Sequence, residues 1–276
     1  MLQPERLTRI VDVGASPINP APYDMLLGEG LAEVIGFEPQ PEPYQDLMRN
    51  PVRHRTVLPY AVGDGKDAVL HVCRASGFTS LLSPNPDFLD YAGRWRWMMR
   101  VVEHIPVKTH RLDDIAEVAE FDMLKIDIQG GEQAVFDNGL RKLAEAIVVY
   151  TEVAFVPMYD GQPLLDTQMR TLRALGFDLH KFMSFSHLML QTGLSAHLRP
   201  RNHRNQPVDG DVVFIRNLLA LEQLPVERLK HLAILSDAIF HSHDLTLKLL
   251  ELLKGPVGYS DDAIGKFVTL LPNRVV

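Results

Sequence analysis

The stretch Ile10-Val11-Asp12-Val13-Gly14-Ala15-Ser16, answered by Val34-Ile35-Gly36-Phe37-Glu38-Pro39, decides the fold. Two short apolar runs read as strands, the first closed by an acid and a glycine turn, the second by an acid alone. Between them a helix is expected from about Tyr23 to Leu31, shortened by Gly28 and Gly30. Strand, turn, helix and strand make a βαβ unit. An acid at the tip of its second strand is where nucleotide-type cofactors have their ribose hydroxyls held. The turn from Ala15 to Pro22 carries Pro17, Pro20 and Pro22 where a dinucleotide loop would carry Gly-x-Gly-x-x-Gly.

Outward from this unit, a strand is expected over Arg55 to Val62, closed by Gly63-Asp64-Gly65, with Ala68 to Cys73 returning as a hairpin. Residues 74–104 are irregular and read as a long excursion, of the kind that forms lids or binding loops. Regularity resumes with a strand at Ile105 to Thr109 and a helix at Leu112 to Ala119. The apolar run Phe121 to Ile128 follows and ends at Gln129-Gly130-Gly131. Helical period over Glu132 to Leu143 and Leu164 to Leu175 alternates with strands at Ala146 to Val153 and Phe177 to Phe182, and Asp211 to Arg216 is the last strand. This rhythm predicts a mainly parallel sheet with helices on both faces. The last strand, reached without a crossover helix, should enter antiparallel. After Asn217 only helices are expected: one from Pro225 to about Phe240, one from Asp244 to Lys254-Gly255-Pro256, and a third capped by Ser260-Asp261.

Composition narrows the class. With 276 residues, 46% hydrophobic and 23% charged, the chain is long enough for a full core and neither disordered nor fibrous. A formal charge of −7 argues against broad electrostatic binding to nucleic acid, although Arg199, Arg201, His203 and Arg204 make one local basic loop. Cys73 is the sole cysteine, so no internal disulfide forms, and a reducing compartment fits. The first residues show no signal-peptide core and no later run approaches a membrane span, so a cytoplasmic protein is expected.

Asp12-Val13-Gly14-Ala15, Gly36-Phe37-Glu38-Pro39 and above all Phe121-Asp122-Met123-Leu124-Lys125-Ile126-Asp127-Ile128-Gln129-Gly130-Gly131-Glu132 resemble the FkbM-type methyltransferases, over roughly residues 10 to 216. The resemblance implies a Rossmann-like class I methyltransferase fold, an α/β seven-stranded sheet whose last strand is antiparallel. It also implies S-adenosylmethionine as cofactor and methyl transfer, usually to a hydroxyl of a small molecule or sugar. The domain would span 1–217, with 74–104 as lid or substrate loop and 218–276 as a helical extension through which a homo-oligomer could form. The chain departs from the family pattern at Ser16-Pro17-Ile18-Asn19, where asparagine and a further glycine are usual.

Within that frame Glu38 is the ribose clamp or a solvated strand-end acid. Asp12, Gly14 and Ala15 form the turn beneath the amino-acid end of the cofactor, or a plain strand terminus. Asp64 stands at the adenine edge or is a turn aspartate. Asp127 and Gln129 face the transfer point or cap the next helix, and Lys125, on the same strand face as Asp127, is expected to pair with it. Asp127 and Glu152 sit where a base would act. Ser80, the Arg94-Trp95-Arg96-Trp97 segment read as a strand, and Arg201 are candidates for holding the acceptor. No cysteine, histidine or acid cluster has metal-site spacing. Two other readings stay open: an NAD-dependent oxidoreductase, which the missing glycine loop disfavours, and a non-catalytic cofactor-binding or assembly protein, which the altered turn keeps in view.

Overall fold

The computed structural model describes residues 2–16, 20–93, 95–258 and 260–272. Pro17, Ile18 and Asn19 of the expected turn, and Arg94 of the tryptophan segment, lie outside them. The opening unit is β1 (Thr8–Val13), α1 (Asp24–Gly28) and β2 (Ala32–Phe37), with the strands parallel in register from Thr8 opposite Ala32 to Val13 opposite Phe37. Side chains of β1 alternate between two cores, Ile10 entering one and Val11 and Val13 the other. A strand buried on both faces needs this near-continuous apolar run.

Helix α2 (Pro41–Arg49), with proline in its first turn, leads to β3 (Arg55–Leu58). The strand expected to continue to Val62 breaks at Pro59-Tyr60, because proline offers no N–H to a ladder. Beyond it β4 (Ala61–Val62) turns away and, after β5 (Asp67–Cys73), the excursion carries α3 (Pro86–Tyr91) and α4 (Trp95–Met98) before β6 (Val101–His110). β6 lies between β4 and β5 in a separate three-stranded sheet. The tryptophans thus stand on a helix, not on the expected strand, and two residues apart on a helix they point to different sides. Trp95 packs against Phe78 and Phe88, while Trp97 is exposed with the Arg74 guanidinium 4.2 Å from its ring centroid.

The expected helix at Leu112 to Ala119 is only a single tight turn, Leu112–Asp114. Leu112, Ile115 and Val118 are buried as three anchors of an irregular segment, which mimics helical spacing. Then follow β7 (Met123–Ile126), α5 (Glu132–Asp137), α6 (Leu140–Leu143), β8 (Val148–Ala154), α7 (Leu165–Ala174), β9 (Phe177–Phe182), β10 (Ser186–Leu188) and β11 (Gln206–Arg216). The main sheet runs β3-β2-β1-β7-β8-β11, parallel as far as β8 and antiparallel at β11. β11 starts at Gln206, five residues earlier than expected, and its length lets two strands pair along its outer edge: β9 beside Val212–Arg216 and β10 beside Gln206–Asp209. The sheet therefore has eight strands where seven were expected.

Helices α8 (Val226–Ala238), α9 (His243–Val257) and α10 (Asp261–Leu270) complete the chain. α9 does not stop at Gly255-Pro256 but at Gly258, whose positive φ ends the helix. Leu229, Leu232 and Ala233 of α8 and Leu245 and Leu249 of α9 share one core with Ile10, Val34, Met123 and Val148 of the sheet. The first two helices of the tail are thus the cover of one sheet face, whereas no described residue of α10 is buried. Helices α5, α6 and α7 cover the other face. No helix among the described residues is long and apolar enough to cross a membrane.

Candidate active site

The carboxyl ends of β1, β2 and β7 open into one cleft of about 430 Å³, within the range of roughly 300–1,000 Å³ usual for cofactor sites. Its walls are the β1 turn, the residues after β2, Tyr60-Ala61-Val62, and segment 76–81 of the excursion. Asp12, Gly14, Glu38, Ser80, Asp127 and Gln129, all singled out in the sequence, line it together.

Two turns meet at its floor. Gly14 has φ +91°, and a Cβ there would stand 2.2 Å from the Asp127 carbonyl oxygen. The glycine lets the β1 and β7 turns touch, and it also lines the cleft. Gly14 N–H and Ala15 N–H both donate to Phe37 O, at 3.2 and 3.0 Å, tying the turn to β2. Substituting Gly14 by alanine is expected to cost about 1–3 kcal/mol from the backbone conformation alone and to push the Asp127 carbonyl aside. Thermal unfolding with and without S-adenosylmethionine would read both the lower midpoint and a reduced shift by the cofactor.

Asp12 is hydrogen-bonded on one oxygen only, while its buried Oδ1 meets Lys125 as an ion pair without a hydrogen-bond donor among the described residues. Tyr23 donates its hydroxyl to Asp12 Oδ2 at 2.6 Å, and Lys125 Nζ stands 3.1 Å from Oδ1. Burial and then Asp12 raise the Tyr23 hydroxyl above its usual range, so it stays a donor. Lys125 pairs with Asp12, not with Asp127 as expected, because β1 and β7 set the two residues side by side. Burial opposes its charge, yet Asp12 and Asp127 outweigh burial and hold the ammonium above the usual lysine range. Lys125 also donates to Gly14 O at 3.3 Å, bracing the turn.

Glu38 is buried at the tip of β2 and accepts the Gln40 N–H on Oε1 at 2.8 Å. The Gln40 side-chain amide reaches the same carboxylate, and Glu38 lines the cleft. Burial raises its carboxyl above the usual range, with the Gln40 N–H pulling the other way.

Gln129 is held from four sides in a left-handed conformation, φ +59°. Its Nε2 donates to Asp127 Oδ1 at 3.0 Å and Glu152 Oε1 at 2.9 Å; its Oε1 lies 3.0 Å from the Tyr159 hydroxyl; its backbone carbonyl accepts from Ser80 Oγ at 2.7 Å. Neither Asp127 nor Gln129 caps α5. Glu132 instead accepts the N–H groups of Ile128 and Gly130 on its own carboxylate, which burial pushes up to about 7 against those donors. Glu152 stands behind Gln129 and does not line the cleft; burial first, then Asp127 and Glu132, raise its carboxyl well above the usual range.

Four other sequence candidates lie outside the cleft. Ala15 is buried against Gly36. Asp64 is closed in its own turn, bonded to Lys66 N at 3.0 Å, Lys66 Nζ at 2.7 Å and Thr109 Oγ1 at 3.2 Å, and the Lys66 contacts hold its carboxyl below the usual range. Trp95 packs in the small apolar cluster described above, and Arg201 is exposed on the loop before β11. Conversely, Tyr150 and Asp211 line the cleft and were not anticipated. Tyr150 lies two residues before Glu152 on β8, a period-two signal, whereas Asp211 reaches the site only because β11 pairs beside β8. Among the described residues no group of three or more His, Cys, Asp or Glu is arranged to hold a metal.

The sheet, parallel as far as β8 with an antiparallel β11, has the class I methyltransferase architecture. The cleft presents a buried carboxylate, Glu38, and an apolar wall at Tyr60–Val62, a lining whose chemistry fits a nucleoside-type cofactor such as S-adenosylmethionine. Residues 12–179, more than half of the chain, match the methyltransferase FkbM domain. The chain belongs to the FkbM methyltransferases, a family that uses S-adenosylmethionine. It is 26% identical to the 2-O-methyltransferase NoeI of Sinorhizobium fredii over 166 residues, 55% of this chain and 66% of that relative. Similar solved structures include a putative methyltransferase from Thermoplasma acidophilum, with 10% identity, coverage of 77% of this chain and 69% of that one, and a TM-score of 0.40. Magnesium protoporphyrin IX methyltransferase from Synechocystis, with bound S-adenosylmethionine, is another, with 8% identity, coverage of 76% and 71%, and a TM-score of 0.39. At these scores the family assignment rests on the sequence match.

Proposed function

We propose that the protein methylates a hydroxyl oxygen of a small molecule or sugar. The observation that carries this reading is the polar part of the cleft lining, which includes the hydroxyl residues Ser76, Thr79 and Tyr150 and the carboxylate residues Asp127 and Asp211. Such a surface suits a polyol, whose hydroxyls both donate and accept. The likeness to a 2-O-methyltransferase supports the same choice. S-adenosylmethionine, when bound, supplies an electrophilic methyl, so that the acceptor C–O bond forms as the S–C bond breaks and its electron pair stays on sulfur. Glu38 accepts from the ribose. Asp127, with Oδ1 fixed by Gln129, keeps Oδ2 for the acceptor's proton. Glu152 positions Gln129 from behind.

Calorimetric titration of the purified protein with S-adenosylmethionine, S-adenosylhomocysteine and NAD is the first test. Both sulfur compounds are expected to bind. Glu38→Ala should weaken them by about 1.5–3 kcal/mol, the range for a hydrogen bond to a charged group. Tight NAD binding without response to the sulfur compounds would overturn the reading. Transfer of labelled methyl to a hydroxylated acceptor, resistant to mild base that would cleave methyl esters, then separates ether formation from carboxyl methylation.

A further inference from the structure

The loop between β10 and β11, residues 189–205, is the basic stretch of an acidic chain. It holds Arg199, Arg201, Arg204, His197 and His203 and no Asp or Glu, against a net charge of −7 for the whole. Among the described residues none of the three guanidinium groups enters an ion pair. Ahead of them on the same loop stand Leu190, Leu194 and Leu198, which are 48%, 69% and 41% exposed. From Gln191 to Asn205 the chain is exposed throughout, save half-buried Ser195. Yet it is shaped: tight turns form at Ser195–His197 and Pro200–Asn202, Thr192 N–H donates to Ser195 Oγ at 2.7 Å, and His203 Nδ1 lies 2.9 Å from Arg199 O. A loop of this length in a compact domain is usually functional.

Its base is tied to the cleft. Leu188 and Val208 flank the loop and are buried with Phe88, Met99 and Tyr159, and the Tyr159 hydroxyl meets Gln129. Gln191 lies against Gly93, just beyond α3.

We infer that loop 189–205 is a docking surface for an anionic lipid bilayer. Arginines alone would suit a soluble anion, and leucines alone an apolar partner. Carried together on one exposed loop, the leucines ahead of the arginines, they match an interface where guanidinium groups meet headgroup phosphates while leucines enter the acyl boundary. The rest of the chain is more acidic than the whole and is repelled by the same surface, which fixes the orientation.

The test is co-sedimentation of the full chain with vesicles of phosphatidylcholine alone and of phosphatidylcholine containing phosphatidylglycerol. Binding is expected only to the anionic vesicles and should weaken with salt. Arg199→Ser, Arg201→Ser and Arg204→Ser together should lower it by roughly a hundredfold, about fivefold per arginine. Leu190→Ser, Leu194→Ser and Leu198→Ser together should lower it at least tenfold with unchanged salt dependence, and because the six side chains are exposed, unchanged melting would show that both variants fold. Failure to bind anionic vesicles at low salt would overturn the inference. So would a leucine variant that binds like the parent while inorganic polyphosphate competes fully, since the loop would then be a site for soluble anions.

Discussion

Replacing Asp122 by alanine is expected to lower stability by about 3–5 kcal/mol, the cost of stranding charges whose buried partner is removed. Asp122 precedes β7 and is fully buried. Its Oδ2 accepts from Arg6 Nη1 at 2.6 Å and from the Arg9 N–H at 2.9 Å; its Oδ1 accepts from Arg6 Nη2 at 2.9 Å and Arg228 Nη1 at 3.2 Å. One carboxylate therefore joins the N-terminal segment, the edge of β1 and the first tail helix. Both arginine side chains are mostly buried; without Asp122 Arg6 loses its ion-pair partner, while Arg228 keeps only the longer pairs to Glu120 and Glu145 at the surface. Urea unfolding would read the change. Burial raises the Asp122 carboxyl, but the Arg6 hydrogen bonds and then charged neighbours outweigh it and hold it below its usual range. A lowered carboxyl contributes stability that is complete above the unfolded value near 3.8 and is lost as pH falls through the lower folded one. The gap between parent and variant should hence be constant at neutral pH and shrink only in acid. An Asp122→Ala protein as stable as the parent at pH 7 would mean that the tail is held by its apolar contacts alone.

That network also marks where sequence reading reaches its limit. β1, β2, β7 and β8 were legible because strands buried on both faces must be apolar throughout, and Phe121 to Glu132 was legible because its residues recur as a unit. Partnerships across strands were not. Lys125 shares a strand face with Asp127 in the sequence, but its ion pair is with Asp12, set by a register between β1 and β7 that no local pattern encodes. The tail read correctly as helices, yet its role as a cover for the sheet depends on which face the sheet leaves bare after α1, a non-local fact. Trp95 failed for a simpler reason: a four-residue helix is too short to leave a periodicity. Within the cleft, the acids at strand tips were found by position, whereas Asp64 shows that a turn after a strand closes on itself when a lysine follows two residues later.

Asp127→Asn is the substitution expected to affect turnover most, by roughly a hundred- to ten-thousandfold, the usual contribution of a positioned proton acceptor. Asparagine keeps an oxygen that can accept from Gln129 Nε2, so the turn and the neighbouring Gly14 contact should survive, and cofactor affinity is expected to stay within a few-fold of the parent. What is lost is the second carboxylate oxygen, whose place the amide nitrogen takes without being able to accept a proton. The split between retained binding and lost turnover is the signature, read by calorimetry beside a labelled-methyl assay. Glu152→Gln is the control. Glu152 already sits in surroundings that favour its neutral form, and glutamine presents the same oxygen to Gln129. Its rate should remain within a few-fold of the parent if Glu152 acts only through Gln129. If instead Glu152→Gln is the crippled variant and Asp127→Asn turns over normally, the proton leaves through Glu152, and Gln129 must swing aside in each cycle to expose it.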